Sequence, residues 1–343
     1  MIRNKGGDTL KRRFLALISA FSIILLSSCA NAPKKSDEHF FAMDTYMTIE
    51  AYGENADKAV REAKSSVIEL EKLLSVNDEN SEIYAVNHGE NPELSQKTLD
   101  LVTFSLEIAE KTGGAFDPTV FPITAAWGFT TDEKRVPQRE EIALLLKKVG
   151  YEKAFVSENH VNVEEGMTLD FGGIAKGYAS DKCAAIMREN GVKSALINLG
   201  GNVYAFGTRL DGNLWRIGVA DPLGESAEDN AGVLSVSDRA VVTSGNYQRS
   251  FTQDGVVYGH IIDPKTGYPA DSGLLSVTVV AADGTLCDAL STALFVMGKE
   301  KAADFFRENG GFDMILIDEN GEIYITDGLR ENFTSDRTVH IIN

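Results

Sequence analysis

The sequence predicts an α+β fold, a single large mixed α/β domain. Three observations carry that expectation. Helical and strand periodicities are interspersed without the steady strand–helix alternation of a parallel α/β protein. No internal repeat and no low-complexity block divides the chain. Its 343 residues, 43% hydrophobic and 24% charged, suffice to bury a core that needs no covalent staples.

Taken in order, Tyr46–Tyr52 alternates as a strand does. Ala56–Leu74 repeats Val60, Val67, Leu70 and Leu74 at helical spacing. Thr98–Lys111 is a second helix, stopped by Gly113-Gly114, and residues 113–130 read as a long loop with Pro118, Pro122 and Trp127. Arg139–Val149 is a third helix, ending at Gly150. Short strands are expected at Ala154–Val156, Val161–Val163 and Thr168–Phe171, then a helix over Ile174–Glu189 that stops at Asn190-Gly191. Strands follow at Ser194–Asn198, Val203–Phe206, Leu214–Val219, Gly232–Val236, Ala240–Thr243, Tyr258–Ile262 and Leu274–Val280. Two helices, Gly284–Met297 and Lys299–Glu308, precede closing strands at Met314–Ile317 and Ile323–Thr326.

The first residues have a different character. Arg3, Lys5, Lys11, Arg12 and Arg13 stand against Asp8 alone, and the apolar run Phe14–Leu26 follows. A basic start before a short apolar run makes an export signal, and the run falls short of the roughly 20 residues a span requires. Leu26-Ser27-Ser28-Cys29 is similar to a bacterial lipobox, in which the cysteine is lipidated and becomes the mature N-terminus. The reading is therefore a lipoprotein signal at 1–28, a polar tether at 29–39 and the functional domain at 40–343. It places the protein at the cell membrane, lipid-anchored through Cys29 on the extracytoplasmic face. Cys183 and Cys287 lie in apolar helical patterns and read as core residues.

Formal charge is −18 over the whole chain, and from Cys29 onward 28 basic residues face 50 acidic ones. That balance argues against nucleic acid. A phosphate-bearing ligand would need a cation to bridge it to so acidic a protein. Several chemistries are missing. There is no G-x-G-x-x-G, no G-x-S-x-G and no H-E-x-x-H. Gly172 and Gly177 have Walker spacing, but Tyr178 stands where the lysine must be. The five histidines, His39, His88, His160, His260 and His340, are too scattered for a histidine-rich metal centre.

Four constellations remain. Leu286–Met297 is apolar almost all round, with Asp288, Ser291 and Thr292 stacked at i, i+3 and i+4 on one face. Such oxygen donors suit a hard cation such as Mg²⁺, and equally a carboxylate hydrogen-bonded within the fold. Thr168–Tyr178 (TLDFGGIAKGY) brings paired glycines to a helix N-terminus, where backbone approaches anions closely and Lys176 adds positive charge. His260 introduces a D-P-K-T-G turn, and Gly113–Val120 (GGAFDPTV) leads into Trp127-Gly128-Phe129.

Together with Met43-Asp44-Thr45-Tyr46, Leu74-Ser75-Val76-Asn77, Asn198-Leu199-Gly200-Gly201-Asn202 and Thr243-Ser244-Gly245-Asn246-Tyr247, these motifs closely resemble the ApbE family of flavin transferases. The resemblance spans nearly all of the chain after Cys29. It implies a single domain of that family's type and a reaction: FAD as substrate, Mg²⁺ as cofactor, cleavage of the pyrophosphate, release of AMP, and FMN transferred to a Thr or Ser hydroxyl of an exported flavoprotein. FAD hydrolysis to FMN and AMP, and flavin binding without catalysis, are the alternatives.

By the same resemblance, Asp288, Thr292 and a carbonyl at Gly173 are metal ligands, with Ser291 where some relatives have a second Asp. Met43, Val76, Asn77, Asp78, Asp117, Asp170, Lys176 and His260 match positions lining the FAD site. Asn77 replaces an aromatic residue often seen in the adenine region, and some relatives carry Glu in place of Lys176. The base that takes the hydroxyl proton is His260, whose unperturbed pKa is near neutral, or a carboxylate, Asp288 or Asp170.

Overall fold

Nine strands form one sheet, and its two faces are covered differently. In this computed structural model the described residues are 33–342 apart from 132, 227 and 248. The expected export signal and Cys29 lie outside them. Lys35–Asn343 make one compact unit.

The strands are β1 (Lys35–Ala42), β2 (Thr45–Tyr52), β3 (Ala154–Ser157), β4 (His160–Val163), β5 (Ser194–Leu199), β6 (Asn202–Gly207), β7 (Trp215–Ala220) and β8 (Asn230–Val236). They continue with β9 (Arg239–Gly245), β10 (Ser250–Gln253), β11 (Val256–Gly259), β12 (Leu274–Ala281), β13 (Asp313–Asp318), β14 (Ile323–Thr326), β15 (Phe333–Thr334) and β16 (Val339–Ile342). The helices are α1 (Ala56–Leu74), α2 (Glu82–Asn87), α3 (Gln96–Lys111), α4 (Phe121–Ala126), α5 (Arg139–Leu145), α6 (Ala175–Glu189), α7 (Gly284–Met297) and α8 (Lys299–Asn309).

The large sheet runs β1-β2-β5-β6-β9-β12-β13-β14-β16. Its pairs are antiparallel except β14–β16. Central strands are apolar on both sides because both faces are covered. In β9, Ala240 and Val242 enter the cluster under the helices, while Val241 enters the cluster on the opposite face. Helices α1, α6 and α7 lie side by side on the first face. The small sheet β15-β8-β7 covers the second, with Trp215, Ile217, Leu234 and Phe333 packed on Ile315, Ile317 and Ile325.

Most expected elements are present, α1 and α7 with the bounds anticipated. Three differences have physical reasons. The stretch assigned to the tether is partly strand: Lys35–Ala42 pairs with β2 along its whole length, and Phe40 and Ala42 reach the core. Thr168–Phe171 is not a strand. Its backbone bonds go elsewhere: Leu169 N–H donates to Asn87 Oδ1 at 2.7 Å, Asn87 Nδ2 donates to the Leu169 carbonyl at 2.9 Å, and Asp170 N–H donates to the Pro118 carbonyl at 2.8 Å. The 113–130 loop contains α4, whose first turn holds Pro122. Beyond β14, β15 and β16 are additional. Cys183 and Cys287 are free and buried as expected, and burial pushes the Cys183 thiol up to about 12.

A third, smaller cluster draws distant loops together. Trp127 packs with Ile123, Ile142 and Ile262, and its Nε1 donates to the Gly267 carbonyl at 2.9 Å. The loop after α3 and the D-P-K-T-G turn are thereby held against β10 and β11.

Candidate active site

The site is built where α6 begins and meets the middle of α7. Phe171 O accepts from both Ile174 N–H at 3.0 Å and Ala175 N–H at 2.7 Å, folding Gly172-Gly173 into a tight turn before the helix. Gly172 is exposed and Gly173 half-buried, so the turn presents backbone to solvent. An added Cβ at Gly173 would lie 3.4 Å from the Phe116 ring and 3.6 Å from Thr292 Oγ1, which seats the turn directly against α7.

The two helices approach through glycine. A Cβ at Gly177 would stand 2.2 Å from the Gly284 carbonyl and 2.7 Å from Asp288 Cβ. Gly177 N–H, one of the first-turn donors with no partner inside its own helix, donates to Asp288 Oδ2 at 2.8 Å. Buried Asp288 thus caps α6 with Oδ2, and among the described residues no hydrogen bond reaches its Oδ1. Thr292 Oγ1 is 3.3 Å from Ser244 Oγ on β9.

Ser291 is placed differently from the expectation. It is fully buried, donates to the Asp288 carbonyl at 2.8 Å and lies 2.8 Å from Ser244 Oγ. Its hydroxyl joins α7 to β9 from within the core. Thr292 Oγ1 instead faces the Gly172-Gly173 turn, beside the Asp288 carboxylate and the exposed turn backbone. Among the described residues no three His, Cys, Asp or Glu side chains gather as a metal centre. A sparse set of hard oxygens fits Mg²⁺, which keeps waters and takes substrate phosphate oxygens rather than filling a protein cage.

Beside this set the charges alternate. Amide groups of Phe171 and Gly172 point at the Asp170 carboxylate, and Lys176 is near it. Burial outweighs these and raises the Asp170 pKa. Lys176 Nζ donates to the Gly172 carbonyl at 3.1 Å. His260 is half-buried and follows β11. Its backbone N–H donates to the Arg249 carbonyl at 3.0 Å, and its Nδ1 lies 3.2 Å from the same oxygen. A carbonyl can only accept, so Nδ1 carries the hydrogen and Nε2 keeps a lone pair. Burial, then repulsion from Arg249 and Lys176, lowers the His260 pKa to about 4, against the opposing effect of the Arg249 bond. The ring is neutral at pH 7.

Met43 begins a turn whose next residue, Asp44, accepts through its carbonyl from Arg249 Nη2 at 3.4 Å. It and Asp44 have φ of 48° and 58°, and Met43 N–H donates to Glu71 Oε1 at 2.6 Å near the end of α1. Val76 and Met43 both pack on the main core. Past α1, Ser75 Oγ accepts from the N–H groups of Asn77 and Asp78, each at 3.1 Å, leaving the Asn77 side chain exposed. Asp78 turns back on its own loop, its Oδ1 accepting two bonds from Asn80 at 3.0 Å, which lowers its pKa.

Asp117 has a different task from the one expected. Its Oδ1 accepts from Thr119 N–H at 2.8 Å and Thr119 Oγ1 at 2.6 Å, and its Oδ2 accepts from Tyr151 N–H at 3.1 Å. Both oxygens are engaged inside the fold, so Asp117 shapes the loop that carries Phe116. The structure therefore brings together Asp170, Gly173, Lys176, His260, Asp288 and Thr292. It adds Arg249 and Ser244, which sequence reasoning missed. Ser244 stood inside a recognised motif, but Arg249 had only its positive charge in an acidic chain as a signal.

Comparison with known proteins follows the same lines. The family model described as "ApbE family" matches residues 43–316. A protein of Treponema pallidum named FAD:protein FMN transferase is 35% identical over 297 residues, covering 80% of this chain and 82% of that protein. The Escherichia coli K12 protein of that name is 30% identical over 266 residues, covering 75% of each. Among solved structures, the ApbE protein of Thermotoga maritima superposes with a TM-score of 0.80 at 36% identity, covering 87% of this chain and 99% of that one. The flavin transferase ApbE of Vibrio cholerae superposes with a TM-score of 0.78 at 27% identity, covering 88% and 99%.

Proposed function

The chain belongs to the ApbE family, and from that premise we propose that it transfers the FMN half of FAD to a Thr or Ser hydroxyl of another protein, releasing AMP. The hydroxyl oxygen forms a new bond to the FMN phosphorus, and the pyrophosphate bond to AMP breaks. The observation that carries the reading is the seating of the Gly172-Gly173 turn on Thr292 and Asp288. It supplies anion-facing backbone and hard oxygen donors within one small volume.

Asp288 Oδ1, Thr292 Oγ1 and the Gly173 carbonyl would hold Mg²⁺, which neutralises charge on the phosphate oxygens as the bond breaks. Lys176 and Arg249 add positive charge from the side of His260. Neutral His260 accepts the hydrogen of the incoming hydroxyl through Nε2. Phosphates bound beside the ring raise its basicity. Met43 and the Val76–Asp78 turn form the rim against which the rest of FAD lies.

The sequence of the first 29 residues supports a lipid anchor at Cys29 on the extracytoplasmic face, with exported flavoproteins as acceptors. Among the described residues no helix is long and apolar enough to cross a membrane.

The test is incubation with FAD, Mg²⁺ and a Thr-bearing acceptor protein, read by in-gel flavin fluorescence. Labelled acceptor and free AMP are expected. FMN and AMP without labelling would sink transfer in favour of hydrolysis, and intact bound FAD would sink catalysis altogether. Asp288→Asn keeps an oxygen for Gly177 N–H but loses the charge. It should lower the rate by at least about a hundredfold while the protein stays folded, and wild-type activity in that variant would refute the metal assignment.

A further inference from the structure

The hairpin of β1 and β2 breaks the usual pattern of an edge strand. β1 is outermost in the large sheet, and among the described residues it pairs only with β2. Edge strands generally carry charge to discourage foreign pairing. Lys35, Asp37 and His39 follow that rule on the exposed side of β1. Phe41 does not: it is 70% exposed, and its cross-strand partner Tyr46 is 61% exposed. The protection stops at the end nearest the site.

Backbone geometry points the same way. Positive φ at both Met43 and Asp44 defines a two-residue turn of the I′ kind. Such a turn is closed by hydrogen bonds between Ala42 and Thr45, so the next pairs, Phe41–Tyr46 and His39–Thr48, alternate with hydrogen-bonded ones. Phe41 is thus in a non-bonded pair, and so is His39. Their N–H and C=O groups point away from β2, to the open edge. Among the described residues, the exposed aromatic pair and the unpaired backbone therefore coincide. The turn also touches the site: Arg249 Nη2 donates to the Asp44 carbonyl at 3.4 Å, and the Arg249 carbonyl accepts from His260.

We propose that this end of β1 docks the acceptor protein. An extended acceptor segment adds to the β1 edge along His39–Phe41 and lays an apolar side chain over Phe41 and Tyr46. Its hydroxyl-bearing residue passes the Met43-Asp44 turn, two residues or roughly 7 Å further on, toward His260. This rests on the transfer reading above, since hydrolysis needs no protein partner. A second copy of this chain is a poorer occupant, because it would bring another strongly acidic domain to the same edge.

The test measures FMN transfer by the full chain in detergent at saturating FAD and Mg²⁺ while the acceptor concentration varies. Phe41→Lys should raise the KM for acceptor at least tenfold and leave FAD affinity, read by flavin fluorescence, unchanged. Phe41→Thr, a strand-favouring substitution, gives the same readout if the lysine variant folds poorly. His39→Pro removes an outward N–H together with the ring whose Nδ1 lies 3.0 Å from Tyr46 Oη, and it should raise the KM further than His39→Ala, which removes the ring alone. Unchanged KM in Phe41→Thr and His39→Pro overturns the docking site while leaving transfer intact. So does a concentration-dependent dimer that Phe41→Thr abolishes without changing KM. A wild-type chain that labels no acceptor overturns the transfer reading itself, and the docking site with it.

Discussion

His260 shows how position rewrites a side chain's chemistry. Its type suggests a base near neutrality, yet burial, Arg249 and Lys176 bring it to about 4. Nuclear magnetic resonance of the FAD-free protein should therefore find this imidazole uncharged down to about pH 5, and titration near 6.5 would refute the arrangement. The shift also links to stability. A pKa depressed from 6.5 gives a contribution that is present above 6.5 and lost as pH falls through about 4. His260→Gln should lose less stability than wild type over that window. The comparison with the variant matters because buried Asp181, whose pKa is raised from 3.8 to about 6, acts in the opposite sense. Its contribution is present below 3.8 and lost as pH rises through about 6. At this scale the sequence reveals which oxygens share a helix face but not which are already committed. Spacing puts Asp288, Ser291 and Thr292 on one face, and it is the family resemblance that implies Asp288 and Thr292 as metal ligands. Ser291 has the same spacing and is used by the Asp288 carbonyl, as both oxygens of Asp117 are used by Thr119 and Tyr151.

The meeting of α6 and α7 decides whether the site exists. Gly284 lies opposite Gly177, where an added Cβ would be 2.3 Å from Ser180 Oγ and 2.9 Å from the Gly177 carbonyl. Two glycines facing each other let the Asp288 carboxylate reach the first turn of α6. Gly177→Ala separates two effects of opposite sign. Helix propensity alone would stabilise α6 by about 1 kcal/mol. Contact with the Gly284 backbone at 2.2 Å forces the helices apart, and overpacking of that kind costs about 1–3 kcal/mol or more. A net loss of stability is expected in thermal unfolding, together with loss of transfer; a more stable, active protein would show that the approach is looser. The bounds of α1 and α7 were legible because their apolar spacing is regular over many residues. The segment before Gly172 was not, since its alternation imitates a strand while Asn87 and Pro118, distant in sequence, take its backbone bonds. β1 was missed for the converse reason: its first half is polar on both sides and becomes a strand only through pairing with β2.

Across the whole molecule, the edge strand ties the sheet to the helix layer and to the mouth of the site. Glu38 accepts an ion pair from Lys64 on α1 at 2.8 Å, and Lys35 reaches Glu50 on β2 at 2.9 Å, with the resulting rise in the Lys35 pKa caused first by its hydrogen bond to Glu50. These pairs are partly exposed, and each adds little by itself. The larger effect is the ladder. A chain beginning at Phe40 would lose the pairs from Lys35–Tyr52 to His39–Thr48, five in all, which at a few tenths to 1 kcal/mol each amounts to about 1–5 kcal/mol. A chain beginning at Pro33 keeps all of them. The shorter chain should melt at a lower temperature, and its transfer to protein acceptors should fall further than its cleavage of FAD. The residues proposed to hold phosphate lie on α6, α7 and the loops around His260, which the shortening leaves in place. Equal melting temperatures would show that β1 contributes nothing to the sheet, and an equal fall in both activities would show that its contribution ends at stability.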